Sequence, residues 1–158
     1  MEQFTLTDNT LILKIKKVSI VLRSIMFFFT FISFVLPLLG LIINLFIGGG
    51  FNIGFIFGMA FFGFIGLTLL RMSLWNTFGR EEIIFSDTQI TYQADYGWFK
   101  GTATVYDYVL ESFSIKTLSK NEGTLIIQGE KGYIETVIKM PINEIETLIG
   151  VLNQKINR

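Results

Sequence analysis

The segment LWNTFGREEIIF, residues 74–85, separates two chemically different parts of this sequence. The chain before it is apolar and glycine-rich, with no charged residue over positions 27–64, whereas the chain after it has the mixed composition of a soluble domain. Trp75 lies between Arg71 and Arg80, and such a combination of aromatic and basic side chains is typical of a membrane–water interface. We therefore interpret the segment as the place where the chain leaves a lipid bilayer, with these three residues at the interface.

Two apolar runs precede this boundary. Residues 24–47 would form a helix roughly 36 Å long, which is sufficient to cross a hydrocarbon core of about 30 Å, and Pro37 predicts a kink within it. The glycine-rich residues 48–52 predict a tight turn, and residues 53–70 predict a second span. Because the connection is short, we expect the two spans to form an antiparallel transmembrane hairpin over residues 24–72.

The distribution of charge predicts the orientation of this hairpin. Basic side chains flank both of its ends, while the turn between the two spans carries no charge. Loops rich in lysine and arginine remain on the cytoplasmic side of a membrane. We expect an inner (cytoplasmic) membrane protein with both termini in the cytoplasm; the flanking basic residues are Lys14, Lys16, Lys17, Arg23 and Arg71.

Residues 73–158 predict a cytoplasmic antiparallel β-domain closed by a helix. Apolar or small side chains at Ile90, Tyr92 and Ala94 alternate with polar ones, which is the pattern of a half-buried strand. Residues 141–157 instead carry apolar side chains at helical spacing, with a proline first and acidic residues in the first turns. This amphipathic C-terminal helix is expected to pack against the sheet.

The N-terminal segment, residues 1–23, contains a further strand pattern. Leu11, Leu13 and Ile15 alternate with Ile12 and two lysines. This pattern predicts a first strand of the β-domain, separated from the other strands by the hairpin.

Several stretches resemble the bacterial PH-like membrane proteins, including the YcxB-like group and, more distantly, the photosystem I assembly factors. They are RMSLWNTFGREEI (71–83), ITYQADYGWFKG (90–101), IKMPINEIETLIGVL (138–152) and the strand at Leu11–Lys17. The resemblance implies an α+β membrane protein in which a two-helix hairpin is followed by a cytoplasmic pleckstrin-homology-like domain with a C-terminal helix. It implies no catalytic chemistry, since fold does not fix function.

The composition excludes several classes of function. The chain contains no histidine and no cysteine, which removes thiol nucleophiles, histidine-based acid–base catalysis and the common zinc sites. The formal net charge is zero, so nothing indicates nucleic-acid binding. We expect a protein that is not an enzyme and that holds no cofactor and no metal.

Gly50, Gly54 and Gly58 stand four residues apart. Small residues at this spacing allow helix backbones to approach closely in lipid. They could receive the first helix of the same hairpin, or they could mediate self-association. Asn44, near the same turn, is expected to cap or hydrogen-bond it rather than to form a functional polar site.

Two neighbouring glutamates, Glu81 and Glu82, follow the boundary. Adjacent residues in a strand point to opposite faces of the sheet, so these two cannot flank one substrate. We expect both to be solvated, and we expect Arg80 to pair with Glu82 or with a lipid phosphate.

The cluster Tyr96, Trp98, Phe99 and Lys100 is the most prominent candidate interaction patch after the boundary. Aromatic residues around a turn are typical of protein interfaces, but they also suit the lipid headgroup region or the core of a small β-domain. We expect Trp98 to lie in the core, and Tyr96 and Lys100 to form the exposed part of the patch.

The sequence thus predicts a membrane-anchored scaffold or assembly module that binds another protein through its cytoplasmic domain. The alternative is a small accessory subunit of a larger membrane complex such as a transporter, with the spans as its binding surface. The expected partners are the lipid bilayer, an unidentified protein and, in an oligomer, a second copy of the chain.

The first prediction concerns topology. A reporter that is active only in the cytoplasm should be active when fused after the last residue, because the hairpin returns the chain to the side on which it started. A fusion placed in the 48–52 turn serves as the control and should be silent. Activity of a periplasm-specific reporter at the C-terminus would contradict the predicted orientation.

Overall fold

The computed structural model describes residues 3–86, 88–107, 110–129 and 132–156. The chain divides into two compact units. Residues 17–77 form a helical unit, and residues 1–16 together with 78–158 form a β-domain.

The helical unit contains two long helices, α1 (Ile20–Phe46) and α2 (Ile53–Phe78). Each is long and apolar enough to cross a membrane. Pro37 lies inside α1, and the helix continues on both sides of it. The second helix extends well past the predicted end at residue 70, because residues 71–78 include no glycine or proline and the next glycine is Gly79.

Small and hydroxyl-bearing side chains form the seam between α1 and α2. The Thr30 and Ser73 hydroxyl oxygens lie 3.4 Å apart across the two helices, and both side chains are buried. Further along, a Cβ atom on Gly66 would lie 2.8 Å from the ring of Phe34. The helices therefore approach closely where α2 has a glycine, which is the packing that lipid-embedded helices favour.

The turn between the helices depends on two glycines and one asparagine. Gly48 and Gly50 adopt positive φ angles of 79° and 67°, which other residues rarely adopt. The Asn44 side-chain amide donates a hydrogen bond of 2.7 Å to the carbonyl oxygen of Gly50. The expected role of Asn44 at the turn is confirmed.

Of the two roles open to the glycines at positions 50, 54 and 58, packing against α1 is not observed. Gly50 precedes α2, Gly54 has only the neighbouring Asn52 side chain within reach of an added Cβ, and Gly58 has no atom within 4 Å. Gly66 takes this role instead. A repeat of small residues does not by itself determine which side of a helix meets its neighbour.

Within the described residues, sheet A of the β-domain has five antiparallel strands in the order β1-β2-β3-β4-β5. Strand β2, which carries the N-terminal alternation, pairs with β3, with Leu11 opposite Ile83 and Lys14 opposite Arg80. The chain thus leaves sheet A for the helical unit and returns to the adjacent strand. The strands are β1 (Phe4–Leu6), β2 (Thr10–Lys14), β3 (Arg80–Phe85), β4 (Gln89–Asp95) and β5 (Thr104–Asp107).

Sheet B and the last helix complete the β-domain. The strands β6 (Leu110–Thr117), β7 (Glu122–Gly129), β8 (Gly132–Glu135) and β9 (Met140–Pro141) are antiparallel, with β7 in the centre. Helix α3 (Ile142–Ile156) packs against β6, β7 and β9. Residue 157, the expected helix end, lies outside the described part of the chain.

The core of the β-domain draws on both sheets and on α3. Its fully or nearly fully buried side chains are Leu11, Leu13, Ile83, Ile90, Leu125, Ile127, Ile134, Ile138, Met140, Ile145, Leu148 and Leu152. The alternation in β2 and β3 and the helical spacing in α3 therefore place their apolar side chains on one common side.

The seam of the helical hairpin gives the second prediction. Gly66→Leu should lower the free energy of unfolding by about 1–3 kcal/mol, because the new side chain overlaps the Phe34 ring. Gly58→Leu is the matched control and should leave hairpin stability unchanged, because open space surrounds that position. Thermal unfolding of both variants in detergent measures the difference. Equal stabilities would show that the seam does not run through Gly66.

Candidate functional site

One end of sheet A carries a group of charged side chains on the outer face of the sheet. Arg80 in β3 lies directly opposite Asp95 in β4. The Arg80 Nε and Nη2 atoms donate hydrogen bonds of 2.9 and 2.7 Å to Asp95 Oδ2. Glu82 lies 3.4 Å from Arg80 Nε and accepts a 2.8 Å hydrogen bond from Lys100 Nζ. We call these four residues the charged end of the sheet.

Asp95 organises this charged end. Burial acts to raise the pKa of its carboxyl, but the N–H of Gly97 and the guanidinium of Arg80 outweigh this effect and hold the pKa below its ordinary value. The pKa of Arg80 is raised, chiefly by its hydrogen bond to Asp95. Both groups therefore remain ionised near neutral pH, and Asp95 stays an acceptor for the turn that follows it.

That turn, residues 96–99, holds three aromatic side chains, and we call it the aromatic turn. The Gly97 N–H donates a 2.7 Å hydrogen bond to Asp95 Oδ1, and the Tyr96 N–H donates one of 3.0 Å to the Phe99 carbonyl. Gly97 has a φ of 87°, and an added Cβ there would lie 2.7 Å from the Phe78 Cβ. Glycine is required for both reasons.

The aromatic turn reverses the expected exposure of its side chains. Trp98 at the tip is 71% exposed and Phe99 is 44% exposed, whereas Tyr96 is 8% exposed and stacks on Phe99 with ring centroids 4.8 Å apart. The expectation that Trp98 is in the core and Tyr96 on the surface is wrong. A turn closed between Tyr96 and Phe99 leaves the tip residue outside, whatever its hydrophobicity. Lys100 is exposed, as expected, and its ammonium group is paired with Glu82.

The three residues assigned to the membrane interface have different surroundings. Arg71 and Trp75 are both part of α2, where Arg71 is exposed and Trp75 is half-buried. Arg80 is the first residue of β3, and its guanidinium is engaged by Asp95 and Glu82. The expected pairing of Arg80 with Glu82 is therefore present, together with a shorter contact to Asp95.

The neighbouring Glu81 is buried, which contradicts the expectation of a solvated carboxylate. Its Oε1 atom accepts hydrogen bonds from the Tyr92 hydroxyl and, at 2.7 Å, from the Val137 N–H, and its Oε2 accepts one of 3.2 Å from the Ile138 N–H. Glu81 thus connects β3 and β4 to the segment that follows β8. Its inward position could have been found from the alternation of residues 81, 83 and 85.

The environment of Glu81 favours its neutral form. Burial raises the pKa of this carboxyl, and the hydrogen bonds from Tyr92, Val137 and Ile138 only partly offset the effect. Burial and the nearby Glu81 also raise the pKa of Tyr92. With three donors directed at its two oxygens, Glu81 acts as a structural connector between sheet A and the segment after β8.

Other parts of the described surface offer little for substrate chemistry. Within residues 3–86, 88–107, 110–129 and 132–156, no three Asp, Glu, His or Cys side chains are grouped to hold a metal ion. A shallow depression on α1 is lined by Ile42, Leu45 and Phe46. Comparison with protein-family models, curated proteins and solved structures finds no match to this chain.

The third prediction concerns the pH dependence of stability. Because the folded-state pKa of Glu81 is raised, its contribution to stability is fully present below the unfolded-state pKa of about 4.3 and is lost as pH rises through the folded value. Glu81→Gln cannot ionise, so its stability relative to the wild type should increase with pH over this range. Chemical unfolding of both proteins from about pH 4 to pH 8 measures this change.

Two further variants make this test specific. Glu81→Leu should cost about 1–3 kcal/mol for each buried N–H left without an acceptor, whereas Glu82→Gln should change stability by only about 0–1 kcal/mol. A wild-type protein and a Glu81→Gln variant with identical pH profiles would show that Glu81 does not titrate in this range.

Proposed function

We propose that this chain is an integral membrane protein with two spans, whose cytoplasmic β-domain is a non-catalytic module that binds another protein. Three features support the proposal: the surface chemistry of the helices, the layout of the β-domain, and an apolar strip beside an edge strand.

The surface chemistry of α1 and α2 supports insertion into a bilayer. Large apolar side chains point outward along both helices; those more than half exposed include Phe28, Phe31, Phe57, Phe61 and Phe64. The hydroxyls of Thr30, Ser33 and Ser73 each donate to the backbone carbonyl four residues earlier. These three hydroxyl groups are thus satisfied within their own helices, as a hydrocarbon environment requires.

The layout of the β-domain supports a pleckstrin-homology-like module. Strands β2–β5 are neighbours in sheet A, and each is antiparallel to the next. Strands β6–β8 form a second antiparallel sheet, and α3 follows them in the chain. Such strands closed by one amphipathic C-terminal helix correspond to the architecture implied by the resemblance. In the chain, the helical hairpin is inserted between β2 and β3.

The proposed binding function rests on three side chains on the outer face of sheet A, namely Ile84, Thr91 and Val105, which together form the apolar strip. Thr91 in β4 lies opposite both Ile84 in β3 and Val105 in β5, so the three side chains share one face. Ile84 is 40% exposed and Val105 is 53% exposed. Strand β5 ends the strand order of sheet A among the described residues. An edge strand beside an apolar strip can accept an extended segment of a partner as an added strand.

A second candidate function is that of an accessory subunit bound through its spans. Gly58 has no atom within 4 Å of an added Cβ, so α2 keeps a small-residue surface that α1 does not cover. A helix of a larger membrane complex, or of a second copy, could pack closely there. This observation favours the alternative for the membrane part of the chain.

The fourth prediction distinguishes the two functions. Val105→Lys places a charge in the apolar strip and should weaken partner retention by roughly thirtyfold, corresponding to about 2 kcal/mol for a buried apolar anchor. Val137→Lys is the matched control, at a similarly exposed position outside the strip (62% against 53% for Val105). Quantitative affinity purification from solubilised membranes, with thermal unfolding of each variant, provides the measurement.

The same experiment includes Gly58→Leu. Loss of the partner with this variant, together with full retention by Val105→Lys, would favour the accessory-subunit function. Retention by all three variants would contradict both binding surfaces.

A further inference from the structure

The aromatic turn lies at the end of sheet A through which the chain connects to the helical unit. In the β2–β3 ladder, Lys14 lies opposite Arg80, and the Ile15 N–H donates a 3.1 Å hydrogen bond to the Gly79 carbonyl. Arg80 in turn lies opposite Asp95, which forms a β-bridge with Lys100. The chain leaves sheet A for the helical unit after β2 and returns just before β3. These two covalent connections and the aromatic turn therefore belong to the same end of one sheet.

Contact with Phe78 fixes the turn close to the return connection. Phe78 is the last residue of α2 and directly follows residue 77, where the helical unit ends. An added Cβ on Gly97 would lie 2.7 Å from the Phe78 Cβ, so the backbone of the turn packs directly on this residue. If α2 leaves the bilayer near Trp75, Phe78 follows about 4.5 Å further along the helix, within the headgroup layer.

The exposed side chains at this end of the sheet suit a lipid interface. Trp98, Phe99 and Phe78 all present a large part of their ring surface to solvent. Lys14, which lies opposite Arg80, and Lys16, two residues further along the chain, are also exposed, and they would attract anionic headgroups. Tryptophan with lysine is the combination that concentrates at the boundary between headgroups and hydrocarbon.

We infer that the aromatic turn is a membrane-surface anchor, in which Trp98 and Phe99 insert among the lipid headgroups. The inference rests on the proposed membrane crossing of α1 and α2. The occupant is lipid rather than protein because both covalent connections to the apolar helices belong to this end of the sheet. The turn is already ordered by the hydrogen bonds of Asp95 and Tyr96, so insertion requires little further ordering.

The fifth prediction uses the two tryptophans of the chain, Trp75 and Trp98. In a Trp75→Phe variant, Trp98 is the sole tryptophan. The full chain is reconstituted into vesicles of phosphatidylcholine and phosphatidylglycerol, with or without bromine on the acyl chains near the carbonyl. We expect brominated lipid to remove most of the Trp98 emission, and we expect aqueous iodide to quench it weakly.

A control tryptophan is placed at the opposite end of the same sheet. Thr88 is exposed in the turn between β3 and β4, and the five residue steps from Arg80 to Phe85 correspond to about 17 Å. Thr88→Trp, combined with Trp75→Phe and Trp98→Phe, should be quenched by iodide and not by brominated lipid. If Trp98 behaves like this control, the inference is wrong.

Trp75 separates failure of the anchor from failure of membrane insertion. In a Trp98→Phe variant, quenching of Trp75 by brominated lipid shows that the helical hairpin is inserted. Quenching of Trp75 without quenching of Trp98 would overturn the anchor alone, whereas loss of both would overturn the membrane crossing as well. Protection of Trp98 from iodide without lipid quenching would mean that a protein surface, such as a second copy, covers the turn, and this also overturns the inference.

Discussion

The pairing of β2 with β3 is the interaction on which the rest of the β-domain depends. These strands are adjacent in sheet A although the whole helical unit lies between them in sequence. Bringing two such distant segments together in an unstructured chain would cost about 4 kcal/mol in loop-closure entropy. An antiparallel hairpin removes most of this cost, because the first turns of α1 and the last turns of α2 are adjacent once its seam has formed. The Thr30–Ser73 contact lies in the half of the hairpin nearest those ends.

The side chains on the two faces of β3 have different roles. On the inner face, Glu81 accepts hydrogen bonds from the segment after β8 and thereby ties sheet A to residues of the sheet B region. On the outer face, Arg80 holds Asp95, and Asp95 holds the Gly97 N–H of the aromatic turn. Removing the buried Glu81 carboxyl group would leave its donors without an acceptor, and removing the Asp95 carboxylate would leave the Arg80 guanidinium without its closest partner, so both changes are costly. The aromatic turn is therefore held by Asp95, a group that is itself fixed within sheet A.

Much of the architecture follows from sequence, and the exceptions have physical causes. The length of the apolar runs predicts the two helices, and the alternation at Leu11 and Leu13 predicts the strand before them, because burial follows the period of each element. The seam at Gly66 could not be predicted from glycine spacing, since Gly54 and Gly58 satisfy the same pattern on a side of α2 that α1 leaves open.

The side chains of the candidate site were harder to predict than the elements that carry them. Hydrophobicity favours the core for Trp98, but the hydrogen bond between Tyr96 and Phe99 determines which residue occupies the tip of the turn. Glu81 shows the opposite case, a charged residue that is buried. Its charge favours solvent, but its position in the strand alternation places it on the inner face. In both cases the local backbone geometry determined the placement, and the neighbouring groups adapted to it.

The proposed lipid anchor and the proposed binding strip are compatible with each other because they occupy different parts of sheet A. Along β3, four residue steps separate Arg80, beside the aromatic turn, from Ile84 in the strip, which corresponds to about 13 Å. That distance exceeds the Debye length of about 8 Å at physiological ionic strength, so exposed charges on the headgroups are largely screened at the strip. A partner strand added at β5 would therefore meet an apolar, weakly charged surface, even with the proposed anchor at the other end of the same sheet inserted among headgroups. If both proposals hold, the β-domain would keep a bound protein partner close to the membrane.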